Sequence, residues 1–145
     1  MPAALDLDTF LPYRLSVASN AVSTRISASY RQRFGLSIPE WRLVAILAEA
    51  ERLTPVEIGR AGQLDKITVS RAAAALIERG LVARSRNPGD GRSHHLTLTA
   101  HGRSLHAEIA PVARALESEL LADFTGAERK TLETLLRRLE CAAKA

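Results

Sequence analysis

The stretch from Thr54 to Thr99 changes its hydrophobic period from that of helices to that of strands, and that change limits what the chain can fold into more than its composition does. Thr54-Pro55-Val56-Glu57 is a helix start. Threonine caps, proline suits the first turn, and a glutamate three residues after the cap completes a capping box. The short helix it opens is expected to run from Pro55 to about Ala61 and to stop at Gly62, with Gly62-Gln63-Leu64 as a tight turn. Asp65 caps a second helix whose inward positions are Val69, Ala72, Ala73, Leu76 and Ile77, and Gly80 ends it. Two helices so close, with a glycine between them, form a helix-turn-helix pattern. The period then drops to two. Leu81 to Arg86 and His95 to Thr99 alternate as strands do, and Asn87-Pro88-Gly89-Asp90-Gly91-Arg92 between them is a hairpin tip. A hairpin directly behind a helix-turn-helix is a wing.

Both flanks are helical. Leu11, Leu15, Ala18, Val22, Ile26 and Tyr30 mark a long helix ending at Gly35, and Ser37-Ile38-Pro39-Glu40 starts another that passes through Trp41, Val44, Leu47 and Ala48. Beyond the hairpin, Leu105, Ile109, Val112, Leu116 and Leu120 lie on one helix. Leu132, Leu135, Leu136 and Leu139 lie on another, separated from it by the capping box Thr125-Gly126-Ala127-Glu128. The expected fold is mainly α with a small β-hairpin wing, a winged helix-turn-helix with N- and C-terminal dimerisation helices. Residues 36–100 would form the DNA-binding lobe, and 1–35 with 101–145 a helical dimerisation lobe. The terminal apolar stripes have no partner inside a three-helix winged domain, so each other and a second copy of the chain are their natural cover.

Charge points to the middle of the chain. Residues 52–92 carry Arg52, Arg60, Lys66, Arg71, Arg79, Arg84, Arg86 and Arg92 against Glu57, Asp65, Glu78 and Asp90, while the flanks are neutral, so the net charge of +4 resides there. That is the footprint of a polyanion-binding face. On the second helix of the motif, Lys66, Ser70, Arg71, Ala74, Ala75 and Glu78 face outward. Arg71 can fork onto guanine, Ser70 or Thr68 can reach bases or phosphate, and the two alanines permit close approach to a groove wall. At the hairpin tip Arg92, between glycines, can enter a minor groove, with Asp90 holding its guanidinium in a bidentate pair. Arg84 and Arg86 share a strand face suited to phosphate.

Gly80-Leu81-Val82-Ala83-Arg84, then Asp90-Gly91-Arg92, then Leu96-Thr97-Leu98-Thr99 followed by Gly102, resembles the MarR-family signature GLV-x-R, D-x-R, L-x-LT-x-x-G in order and spacing. The similarity covers nearly the whole chain. It implies a triangular homodimer with a winged lobe per subunit, the fourth helix in the major groove of duplex DNA and the wing in the minor groove. It places Lys66-Ile67-Thr68-Val69-Ser70-Arg71 in the base- and phosphate-contacting stretch. The operator would be pseudopalindromic and the usual outcome repression, relieved by a small aromatic carboxylate or its CoA thioester. Tyr13, Arg14, Ser16 and Asn20 on the first helix, with Trp41 and Arg42 on the second, are candidates to line the effector crevice, the arginines for a carboxylate and the rings for stacking.

Other functions find little support. There is no G-x-G-x-x-G, G-x-S-x-G or C-x-x-C, so no catalytic residue and no cofactor is expected. His94 and His95 point to opposite strand faces, and His101 and His106 are five apart, so no metal is expected either. Cys141 near the C-terminus has no partner, no signal peptide precedes the first helix, and no apolar run approaches the roughly 18 residues of a membrane span, which together suggest a cytoplasmic protein. The competing reading is a helical protein-interaction module. It fits the terminal stripes but leaves the basic helix and wing without purpose.

Overall fold

Each expected helix start is present in the computed structural model, which describes residues 3–89, 91 and 93–145. After a short 3-10 turn at Leu7–Thr9 come α1 (Leu11–Phe34), α2 (Ile38–Glu49), α3 (Pro55–Gly62) and α4 (Lys66–Glu78). Then follow strands β1 (Val82–Arg86) and β2 (His94–Leu98), and helices α5 (Ala100–Leu120) and α6 (Gly126–Lys144). Capping boxes open α2 at Ser37, α3 at Thr54 and α6 at Thr125, each closed by a glutamate whose carboxylate accepts the cap residue's N–H. Pro12, Pro39 and Pro55 occupy first turns, where the missing N–H would have had no helical partner.

The chain divides into two compact units, Met1–Ile109 and Ala110–Ala145. This differs from the expected division at 35 and 100, because α1 is tied to the winged part at its C-terminal end. Tyr30 is buried there, and the Arg79 guanidinium donates to the carbonyls of Phe34 at 3.0 Å and Gly35 at 3.3 Å. The core of the first unit is built from Leu36, Leu43, Val44, Leu47, Ile58, Val69, Leu76, Leu81, Val82, Leu96, Leu98 and Ile109, and the rest of α1 contributes nothing buried to it.

Two local details depart from expectation. Gly62 remains inside α3, and the left-handed residue that ends the helix is Gln63 (φ 54°), its side chain donating to the Arg60 carbonyl. Gly62 is instead closely approached by side-chain tips: a Cβ there would lie 2.9 Å from Ile46 Cδ1 and 3.2 Å from Leu64 Cδ1, which would have to shift to admit it. The second strand begins at His94 and ends at Leu98, one residue earlier at each end than the alternation suggests, because Thr99 leaves the ladder to cap α5. Its hydroxyl donates to the Gly80 carbonyl at 2.7 Å and accepts the Gly102 N–H at 3.0 Å.

The hairpin is a two-stranded antiparallel sheet in the register Val82↔Leu98, Arg84↔Leu96, Arg86↔His94. It is anchored at its base by a reciprocal pair of backbone bonds between Leu53 and Leu96, and by Thr97, whose hydroxyl donates to the Glu51 carbonyl. Toward the tip, Asn87 accepts the Gly89 N–H and donates to Ser93 Oγ at 2.8 Å, an Asx turn that holds the loop closed.

Candidate nucleic-acid interface

The outward side of α4 is set by its inward side. Val69, Ala72, Ala73 and Leu76 are buried, which leaves Lys66, Ser70, Arg71, Ala74 and Glu78 exposed, with Ala75 and Ile77 half-buried. The first turn is fixed by Asp65, whose carboxylate accepts the Thr68 N–H and the Thr68 hydroxyl, both at 2.8 Å. Those bonds stabilise the charged form and hold the Asp65 carboxyl below the usual carboxylate range. Thr68 is thereby half-buried, and its hydroxyl proton is committed to the cap, so it orders the helix start more directly than it presents a donor outward. Unlike α2, α3 and α6, α4 has no acidic residue in its first turn, where Lys66 stands instead. The helix end that carries partial positive charge therefore has a cation at its first position, directly after the cap.

In the wing, Arg84 and Arg86 are exposed and lie on the same face as buried Val82, with which they alternate by twos. They become exposed because the ladder leaves the core as it approaches the tip. His94, paired opposite Arg86 in the ladder, is held below its usual pKa by burial and then by the nearby Arg84 charge, which favours the neutral ring. Asp90 and Arg92, the expected tip pair, lie outside the described residues. Among the described residues, the exposed cations of the middle segment are Arg52, Arg60, Lys66, Arg71, Arg79, Arg84 and Arg86, of which Arg79 is engaged by the carbonyls at the end of α1. Between α3 and α4 lies a mostly apolar groove of about 320 Å³, lined by Pro55, Val56, Gly59, Leu64 and Val69, with Arg60 and Lys66 at its edge.

The residues suggested for an effector crevice are not gathered in one place within the chain. Tyr13 is exposed, Arg14 lies 4.0 Å from Asp8, the Ser16 hydroxyl donates to its own helix at Pro12, and Asn20 is exposed. Trp41 packs against Tyr30, with ring centroids 5.1 Å apart, and stacks on His106 at 6.1 Å and 12°. Tyr30 lies about 25 Å along α1 from Tyr13 at 1.5 Å per residue. Burial raises the Tyr30 pKa, which keeps that ring neutral beside Trp41. Arg42 donates to the Gly62 carbonyl at 3.5 Å, bracing α2 against the helix-turn-helix. The apolar run of α1, expected to need cover from outside the winged domain, is mostly uncovered within the chain, with Leu11, Leu15 and Val22 exposed, as are Leu132, Leu135, Leu136 and Leu139 on α6. Among the described residues, no three His, Cys, Asp or Glu side chains gather into a metal site. No helix among the described residues is long and apolar enough to cross a membrane.

Comparison with known proteins agrees with this geometry. Residues 34–93, the segment holding α2, the helix-turn-helix and most of the wing, match the family described as MarR family. An HTH-type transcriptional repressor of Mycobacterium tuberculosis is 28% identical over 132 residues, covering 91% of this chain and 94% of the relative. The crystal structure of a MarR/EmrR family transcriptional regulator from Acinetobacter superposes with a TM-score of 0.87 at 27% identity, over 97% of this chain and 99% of the other. A Bordetella bronchiseptica protein, BpsR, whose DNA binding is described as regulated by 6-hydroxynicotinic acid, shares the fold with a TM-score of 0.87 at 23% identity, over 95% and 98% of the two chains.

Proposed function

Because this chain is a MarR-family winged helix-turn-helix transcription regulator, we propose that it binds a pseudopalindromic duplex as a homodimer and represses by occupying promoter DNA. The observation that carries this reading is the segregation on α4 of a fully apolar inner side from an outer side bearing Lys66, Ser70 and Arg71, beside a hairpin bearing Arg84 and Arg86. In the proposed complex the N-terminal half of α4 enters the major groove. Arg71 addresses a guanine edge, and Lys66 and Ser70 meet phosphate or bases, with Thr68 ordering the turn between them. Arg84 and Arg86 meet phosphate along the wing, while Arg92, steadied by Asp90, enters the minor groove. Two copies joined through the uncovered stripes of α1 and α6 would set their recognition helices about 34–36 Å apart, one turn of the duplex.

We further propose that a small aromatic carboxylate or its CoA thioester releases the DNA. Tyr13, Arg14, Ser16 and Asn20 line an exposed stretch of α1 that offers a ring, a guanidinium and two hydrogen-bonding groups. Trp41 and Arg42 would act on such a site through their packing against α1 and α3. A coupling of about 1–3 kcal/mol between the two ligands is enough for a usable switch.

The contact assignment is tested by two variants. Arg71→Ala should lose about 1–3 kcal/mol of discrimination at one base pair of each half-site. Arg92→Ala should weaken binding to many sequences alike and flatten the salt dependence. Fluorescence anisotropy on a panel of labelled duplexes reads both, and unchanged affinity and selectivity in both variants would refute the assignment.

A further inference from the structure

The outward side of α4 holds one large side chain that its charge does not explain. Ile67 is 65% exposed. At about 100° per residue, it stands about 170° around the helix from the centre of the buried set Val69, Ala72, Ala73 and Leu76. It is therefore the middle of the exposed ridge, with Ser70 and Arg71 one turn on, Ala74 two turns on and Lys66 adjacent, all exposed. A β-branched apolar residue at the centre of a cationic, hydrogen-bonding face points away from the core and is not explained by it.

We infer that Ile67 is a specificity-determining residue that packs on the C5-methyl of a thymine in the major groove, an inference that rests on the reading of α4 as the DNA-contacting helix. Of the groups a major groove presents, the thymine methyl is the one an aliphatic side chain complements; the others are donors and acceptors. Against adenine, guanine or cytosine, Ile67 would displace water from those groups and return no hydrogen bond, so it selects against them as well as for thymine. In a helix its χ1 angle is held largely to one rotamer, so its methyls are pre-positioned and little freedom is lost on contact. Ala74, further along the same ridge, leaves room for the helix to approach closely enough for van der Waals contact. The flanking Lys66 and Arg71 fit a polyanion better than the apolar centre of a protein interface, so duplex DNA is the occupant that the charge favours.

The test pairs a protein deletion with a DNA deletion. The full-length chain selects its site from a randomised duplex library, and each thymine of that site is then replaced, one at a time, by deoxyuridine, which removes only the methyl. Wild-type protein should lose about four-fold in affinity at one position per half-site, the worth of one buried methyl. Ile67→Ala should bind the thymine site several-fold more weakly, keep its melting temperature, and be indifferent to deoxyuridine at that same position. Ile67→Val, which keeps the branch, should retain part of the deoxyuridine penalty. Wild-type protein indifferent to deoxyuridine everywhere, a selected site without a preferred thymine, or Ile67→Ala with an undiminished penalty would each overturn the inference while leaving DNA binding intact. A wild-type chain that selects no duplex at all would overturn the DNA reading and this inference with it.

Discussion

Replacing Leu132 and Leu136 together by aspartate is expected to give a folded monomer that binds the operator two to four orders of magnitude more weakly. The two leucines are 39% and 45% exposed within the chain, and α6 buries no residue, so the substitution removes nothing from either unit's core. Leu132, Leu135, Leu136 and Leu139 nevertheless form an i, i+3, i+4, i+7 stripe, the pattern of a helix face that needs cover. Two carboxylates per chain in the middle of such a stripe would be buried without cations in any dimer that uses it, which is strongly unfavourable. Loss of the second half-site then forfeits an avidity of about 10²–10⁴. Light scattering after gel filtration reads the mass, circular dichroism the fold, and anisotropy the affinity. A dimer that survives both aspartates would move the interface to another surface.

Gly102→Ala is expected to destabilise the chain by about 3 kcal/mol or more, at the upper end of what overpacking usually costs. The residue is buried at the start of α5, and a Cβ there would fall inside the Leu81 carbonyl oxygen and 3.1 Å from Leu98 Cδ2. Neither can yield cheaply. The Leu81 carbonyl accepts the Thr99 N–H, and the Gly102 N–H is itself bound to the Thr99 hydroxyl, so the base of the wing and the start of α5 are fastened at one point. Gly126→Ala is the matched control. Nothing lies within 4 Å of a Cβ at that position, and alanine suits a helix better than glycine, so its melting temperature should hold or rise. Thermal melts of the three proteins by circular dichroism check the contrast, and equal melting temperatures for Gly102→Ala and wild type would contradict it.

Gly102 also shows how a pattern in the sequence becomes a contact. Gly80, Leu81, Thr99 and Gly102 read as separate letters of a signature, yet in the fold they form one knot of backbone bonds around the Gly80 and Leu81 carbonyls. Helix starts were equally legible, because a cap is a local event: Ser37, Thr54, Asp65 and Thr125 each bond to the N–H three residues on. Events that depend on distant neighbours were less so. Gly62 looked like a helix end, but it is instead closely approached by the side-chain tip of Ile46, and Gln63 takes the left-handed turn. Pro111 lies within α5, where it removes one helical hydrogen bond without ending the helix. The division between compact units falls beside it, a feature that apolar spacing cannot display.

The candidate site was legible in outline for a related reason. Amphipathic spacing determines which side of α4 faces out, so Lys66, Ser70 and Arg71 could be placed on the exposed face, and Ile67 could have been placed with them had exposure been weighed apart from charge. The effector crevice was not legible, since membership depends on which turn of α1 faces which neighbour. Trp41 and Tyr13 look alike as free aromatic residues in the sequence, but Trp41 is committed to Tyr30 and His106. Arg79 likewise counts toward the basic middle of the chain, but although it is exposed its guanidinium is engaged by the carbonyls of Phe34 and Gly35.

In the proposed complex the exposed cations of the helix-turn-helix and wing form a phosphate-neutralising surface. The most direct test of this is the affinity of the wild-type chain for its selected duplex as salt is varied. With Arg52, Arg60, Lys66, Arg71, Arg84 and Arg86 exposed on each subunit of the proposed dimer, a plot of log affinity against log salt should fall with a slope of roughly −5 or steeper, at about −0.9 per phosphate neutralised. A slope near zero, or no duplex binding even in dilute buffer, would contradict the account.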